Sequence, residues 1–238
     1  MLSEIEISSS GGSLSSGIEI DGSIKAVVTF IREHFKSFAK KYNSELEQNE
    51  KLITQQLCIY LNRKAKQQPF FFHSEFAEKV TSGNSPQVDI GVLSQLEEIT
   101  ISDKTYGEDE CFFSIEAKRL PTPGANREKE YVVGHNSSSG GIERFKKSIH
   151  GPNLSHAAII GYVQKETFNY WFLEVNNWIN ELAANKNGIW ETADCLQKVD
   201  GSDSIYIELL SENSREARTG SRDKIKLFHF WINLIPTQ

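Results

Sequence analysis

The sequence predicts a mixed α/β layered domain, with helices packed on a sheet of several strands. Three observations predict it. Two blocks near the N-terminus space their apolar residues at helical intervals. Several later blocks are short, apolar and rich in β-branched and aromatic residues. One helix-like block separates two strongly apolar strand-like ones, the order expected of a crossover connection.

Residues 1–22 contain the Ser/Gly-rich run SSSGGSLSSG and are expected to be a flexible segment ahead of a single domain over residues 23–238. Gly22–Tyr42 places Val27, Val28, Ile31, Phe35 and Phe38 on one helical face, and Ser44–Lys66 does the same with Leu46, Ile53, Leu57, Tyr60 and Leu61. Pro69–Phe76, Val88–Leu93 and Glu98–Ser102 read as strands, with the turn TSGNSP between the first two. Cys111–Leu120, CFFSIEAKRL, is the clearest strand. A loop with Pro121, Pro123 and Gly124 follows, then NSSSGG and IERFKKSIHG, a capped helix. His156–Val163 is a buried strand by its apolar run. Residues 169–186 read as a helix, or as a strand turning into one. SIYIELLSE and KIKLFHFWINLI close the chain as strands.

Composition narrows the function classes. The chain has 238 residues, 38% hydrophobic and 24% charged, enough for one large domain with a core. No apolar run approaches the ~20 residues of a membrane span, and the N-terminus lacks a basic-then-apolar leader, so no membrane partner is expected. Cys58, Cys111 and Cys195 are odd in number and far apart, which favours reduced thiols in a cytoplasmic setting. The six histidines show no HxH or HxxxH spacing for zinc, and GxxxxGK[ST] and GxSxG are absent.

Net charge is −6, which argues against a nucleic-acid partner, but the charge is uneven. Residues 1–22 hold four acids and no base, so without them the charge is −2 (−6 + 4). Lys118–Lys147 holds seven basic residues against three acidic ones, and Arg215–Lys226 five against two. Local basic patches, more than the total, govern phosphate binding.

The strand CFFSIEAKRL raises a specific question. In a strand, residues i and i+2 share a face, so Glu116 and Lys118 project side by side from a segment that begins FFSI. Charges at the end of a buried strand are unusual without a use. Asp89, in VDIGVL, lies 27 residues earlier (116 − 89), and a long hairpin would bring it beside them. Two carboxylates suit Mg²⁺, which takes one or two of them plus waters and substrate phosphate. A nearby ammonium orients water or stabilises developing negative charge.

Asp89 in VDIGV, followed by Glu116 and Lys118 in IEAK, resembles the PD-(D/E)XK nuclease superfamily. The resemblance covers most of residues 44–163 and implies a restriction-endonuclease-like mixed β-sheet core flanked by helices. It also implies a Mg²⁺-dependent deoxyribonuclease, with Mn²⁺ able to substitute. Asp89, Glu116 and the Ala117 carbonyl would bind metal, Glu50 would complete the shell from the preceding helix, and Lys118 would position or activate water. Val88 stands where the superfamily often has proline. DNA is the substrate the resemblance implies, in restriction or defence against foreign DNA. Arg144, Lys146 and Lys147 on the next helix are candidates for phosphate contact. A homodimer and a protein partner supplying targeting stay open, as does an inactive binding or structural module with the same fold.

Overall fold

The computed structural model describes residues 21–42, 49–78, 85–101, 103–185, 188–199, 201, 203–216 and 223–235. The Ser/Gly-rich run 8–17 and residues 81–84 of the expected turn TSGNSP lie outside them. Helix α1 (Gly22–Lys41) starts at the expected Gly22, where Asp21 caps it: the Asp21 side chain accepts from Ser23 N at 2.8 Å. Helix α2 (Glu50–Lys64) starts at the Asn49 cap, and residues 44–48 of the expected helix, with Leu46, lie outside the described residues.

The strands are β1 (Phe70–Ala77), β2 (Gln87–Ser94), β3 (Glu98–Ile101), β4 (Lys104–Gly107), β5 (Cys111–Leu120), β6 (His156–Val163), β7 (Gln197–Lys198), β8 (Tyr206–Ser214) and β9 (Lys224–Asn233). Helices α3 (Gly141–Lys146) and α4 (Phe168–Ala183) flank β6 in the chain. Strands β4 and β7 were not legible in the sequence; each is short and carries no apolar run. The segment from Asn169 to Ala183 resolves to helix rather than strand, with Trp171, Val175, Trp178 and Ile179 on the buried face.

Among the described residues seven strands form one mixed sheet, ordered β1-β2-β5-β6-β9-β8-β7. Strands β5, β6 and β9 are parallel and central, and the flanking pairs are antiparallel. Every residue of β6 is buried, which explains its unbroken apolar run: both faces of a central strand are covered. Ala158, Ile160 and Tyr162 pack with α1 and α2 on one face. Ala157, Ile159 and Val163 pack with α3 and α4 on the other. The same alternation in β5 sends Phe113, Ile115 and Ala117 toward α1 and α2. Glu116 and Lys118 therefore project toward α3, the face that also buries Leu120.

Edge strand β1 is closed by a side chain. Asn62 of α2 donates to Phe72 O at 2.7 Å and accepts from Phe72 N at 2.9 Å, satisfying both backbone groups that would face solvent. Cys58, Cys111 and Cys195 are free thiols. No helix among the described residues is long and apolar enough to cross a membrane.

Candidate active site

Strands β2 and β5 pair from Leu93 and Cys111 to Ile90 and Ile115, then part. Beyond that point β2 stays paired with β1 and β5 with β6. Asp89 and Glu116 are the next residues on the two diverging strands. The divergence leaves β5 backbone N–H groups without a strand partner, and carboxylates take them. Asp89 Oδ2 accepts from Ala117 N at 2.7 Å, and Glu50 Oε2 accepts from Arg119 N at 2.9 Å. The N–H and C=O of a strand residue point to the same side, so the Ala117 carbonyl is directed toward Asp89 as well. Glu50 reaches the site because it is the first residue of α2, whose Asn49 cap accepts from Lys51 N at 2.9 Å.

Glu116 is 1% exposed and surrounded by cationic groups. Lys118 Nζ donates to its Oε1 at 2.8 Å and Arg144 Nη1 to the same oxygen at 3.0 Å. Lys118 also lies 3.9 Å from Glu50 Oε1. Glu116 Oε2 is buried with no hydrogen-bond partner, 3.5 Å from His150 Nε2.

The electrostatics follow from this packing. Burial pushes the Asp89 carboxyl up to about 8, and the neighbouring Glu116 charge adds to it. Burial also raises Glu50, against the pull of Lys118. Burial pushes Glu116 the same way, but the nearby cations, Lys118 first and then Arg144, outweigh it and hold its carboxyl below the usual range. Burial would lower Lys118; Glu116, Glu50 and Asp89 overcome that and raise it, so its ammonium stays charged. Glu116 is thus the resident anion, and a second ionised carboxylate beside it needs another cation.

That need, the orphaned Glu116 Oε2 and the all-oxygen donor set fit a divalent cation such as Mg²⁺. Among the described residues no three His, Cys, Asp or Glu side chains form a ready-made metal cage. Mg²⁺ does not require one, since it keeps several waters and uses few protein ligands.

Of the residues singled out in the sequence, Glu50, Asp89, Glu116, Ala117, Lys118 and Arg144 come together. Lys146 and Lys147 do not. Lys146 is fully buried, with Nζ 2.7 Å from Asp194 Oδ2, so it cannot serve as a phosphate contact. Lys147 Nζ is drawn to Glu143 Oε1 at 2.7 Å and Ser138 Oγ at 3.0 Å. The start of α3 is likewise closed to anions: its Gly141, Ile142 and Glu143 N–H groups donate to the carbonyls of Glu130, Tyr131 and Val132.

Two residues at the site had no sequence signal, His150 and Glu78. A Schellman turn brings His150 in. Ser148 has φ 52°, and Ile149 N donates to Arg144 O at 2.9 Å while Ser148 N donates to Phe145 O at 3.0 Å. The chain thereby folds back, and His150 N reaches Arg144 O at 3.2 Å. A Ser in the left-handed position, where Gly is the common signal, left that turn hidden. No protein-family model, curated protein or solved structure matches this chain.

Proposed function

We propose that this chain is a metal-dependent nuclease of the PD-(D/E)XK type, with a restriction-endonuclease-like core, that hydrolyses phosphodiester bonds in DNA. The observation that carries the reading is the convergence of Glu50, Asp89, Glu116 and Lys118 where β2 and β5 part. Asp89, Glu116 and the Ala117 carbonyl would hold the cation, with Glu50 beside them. Bound Mg²⁺ supplies Lewis acidity toward a phosphoryl oxygen and makes a nearby water more acidic. Lys118 acts as a charged donor rather than a base, because three carboxylates keep it protonated. It orients the attacking water and offsets charge on the phosphate. The water oxygen bonds to phosphorus, the ester P–O bond breaks, a water proton leaves to solvent and the leaving oxygen takes one up.

One observation favours a partner-dependent form of the same enzyme. Between Lys118 and Lys147, six of the seven basic residues sit in ion pairs: Lys118 and Arg144 with Glu116, Arg127 with Glu130, Lys129 with Glu181, Lys146 with Asp194, and Lys147 with Glu143. Such a surface has little charge left for phosphates, and a second subunit would supply DNA affinity.

The test is cleavage of supercoiled plasmid, linear duplex, single-stranded DNA and RNA with Mg²⁺, Mn²⁺ or EDTA, with Lys118→Ala beside wild type. Cutting that needs metal and falls by about 100-fold or more in Lys118→Ala is expected. Equal cutting by both proteins, or cutting in EDTA, would sink the nuclease reading. Mn²⁺ calorimetry separates the forms: binding without cutting points to the partner-dependent enzyme, and neither binding nor cutting points to an inactive module.

A further inference from the structure

We infer that Arg144 is a catalytic guanidinium at the scissile phosphate and that His150, packed beside Glu78, positions it; this rests on the nuclease reading above. The guanidinium is held at three points. Nη1 donates to Glu116 Oε1 at 3.0 Å and to His150 Nε2 at 3.1 Å, and Nε donates to Ser138 O at 3.2 Å. Among the described residues Nη2 takes no hydrogen bond. The Arg144 side chain is 29% exposed, while Glu116 beneath it is 1% exposed, so the guanidinium covers the carboxylate from the solvent side.

The reason for a second cation here is chemical. Lys118 already compensates Glu116 through the same oxygen. A guanidinium 3.0 Å from that oxygen places a second positive charge at the mouth of the site. A planar fork anchored through Nε and Nη1, with Nη2 left without a hydrogen bond among the described residues, suits a tetrahedral phosphate anion. As the P–O bonds exchange, Arg144 would donate to a non-bridging oxygen and keep its own proton throughout.

His150 explains how the fork is aimed. Because Arg144 Nη1 is a donor, His150 Nε2 is the acceptor, and the ring proton sits on Nδ1. That nitrogen is buried 3.5 Å from Glu78 Oε2, close enough for electrostatic attraction but without a hydrogen bond. Glu78 is fixed in turn: both its oxygens accept from Gly151 N at 2.9 Å, and Ser114 Oγ donates to Oε1. The imidazole is 1% exposed and packs edge-on to Phe145, with centroids 5.8 Å apart. Glu78, His150 and Arg144 thus form a chain from the end of β1 to the cleft. A buried ion pair between Arg144 and Glu116 would need neither of the other two.

The experiment compares wild type, Arg144→Lys, Arg144→Ala, His150→Gln and His150→Ala in steady-state cleavage with Mg²⁺, on the substrate that wild type cuts. Mn²⁺ calorimetry and thermal unfolding are run on each. Arg144→Ala should lower kcat by about 100-fold with KM within about threefold, and Mn²⁺ binding should persist. Arg144→Lys should not restore the rate, because a point charge lacks the fork. His150→Ala should lower kcat by about tenfold, the loss of one hydrogen bond to a charged group. His150→Gln, which keeps an acceptor near the Nε2 position, should recover most of it. An Arg144→Ala rate within about threefold of wild type, or a rise in KM alone, would overturn the inference and leave the nuclease reading intact. If wild type cuts nothing, inorganic phosphate is titrated into the Mn²⁺-loaded proteins. A Kd at least about tenfold weaker in Arg144→Ala supports the inference, and equal Kd values overturn it.

Discussion

Lys146→Met tests the division between structural and functional cations on α3. Lys146 Nζ lies 2.7 Å from Asp194 Oδ2, donates to Ser214 O at 3.0 Å and sits 5.2 Å from the Trp190 ring centroid. Lys146 is 0% exposed and Asp194 1%. At 2.7 Å and an effective dielectric of about 20, the attraction is about 6 kcal/mol before desolvation is counted. Methionine keeps the stem volume and removes the charge. Asp194 then retains one donor, Glu191 N at 2.7 Å on Oδ2, while its Oδ1 stays without a hydrogen bond. Leaving a buried carboxylate in that state costs about 3–5 kcal/mol, or roughly 6–20 °C in Tm for a chain of this size. The assay is urea unfolding at pH 7 of wild type, Lys146→Met, Asp194→Leu and the double variant. Replacing both partners should restore most of the loss, since two apolar groups leave no orphaned charge. DNA binding, measured against salt concentration, should keep its slope. The reasoning fails if Lys146→Met costs less than about 1 kcal/mol, or if it flattens the salt slope without destabilising the fold.

Two further outcomes are expected. His229 is buried and neutral, taken by Tyr131 and Ser211 at 2.8 Å each, and burial pushes its imidazole down to about 3. Its contribution to stability is complete above the unfolded value of about 6.5 and is lost as pH falls toward about 3, because only the unfolded chain takes the proton in that window. The slope of unfolding free energy against pH between 6 and 4 should therefore shrink in His229→Asn by up to about 1.4 kcal/mol per pH unit; an unchanged slope would show that the imidazole is not held neutral. Asn62→Ala should cost about 2 kcal/mol in urea unfolding, because it strips Phe72 N of its partner on an edge strand and leaves Phe72 O only the weak Cys58 thiol donor at 3.4 Å. A cost near zero would mean that water satisfies those groups equally well.

Much of the architecture was legible because local patterns carried it. The 3.6-residue spacing of Val27, Val28, Ile31 and Phe35 marked α1, and the unbroken apolar run of β6 marked a strand buried on both faces. The run CFFSIEAKRL matched β5 residue for residue, and its two-residue period put Glu116 and Lys118 on one face. Strands β4 and β7, and the short extent of α3, were not legible, because a four-residue strand or a six-residue helix has too few residues to show a period.

The candidate site divides in the same way. The sequence alone determined which residue types could do hydrolytic chemistry and where strand alternation pairs them, since Glu116, Ala117 and Lys118 are neighbours in one strand. Tertiary structure decided which cations are available to that chemistry. Arg144, Lys146 and Lys147 are near neighbours in the chain, yet a helix turns each by about 100°. One of them reaches Glu116, one is sealed against Asp194, and one is tied to its own helix. His150 and Glu78 join the site through a reversal after α3 and the end of an edge strand, 72 residues apart (150 − 78). No spacing rule links positions that far apart; only the packing of α3 against β5 sets their distance.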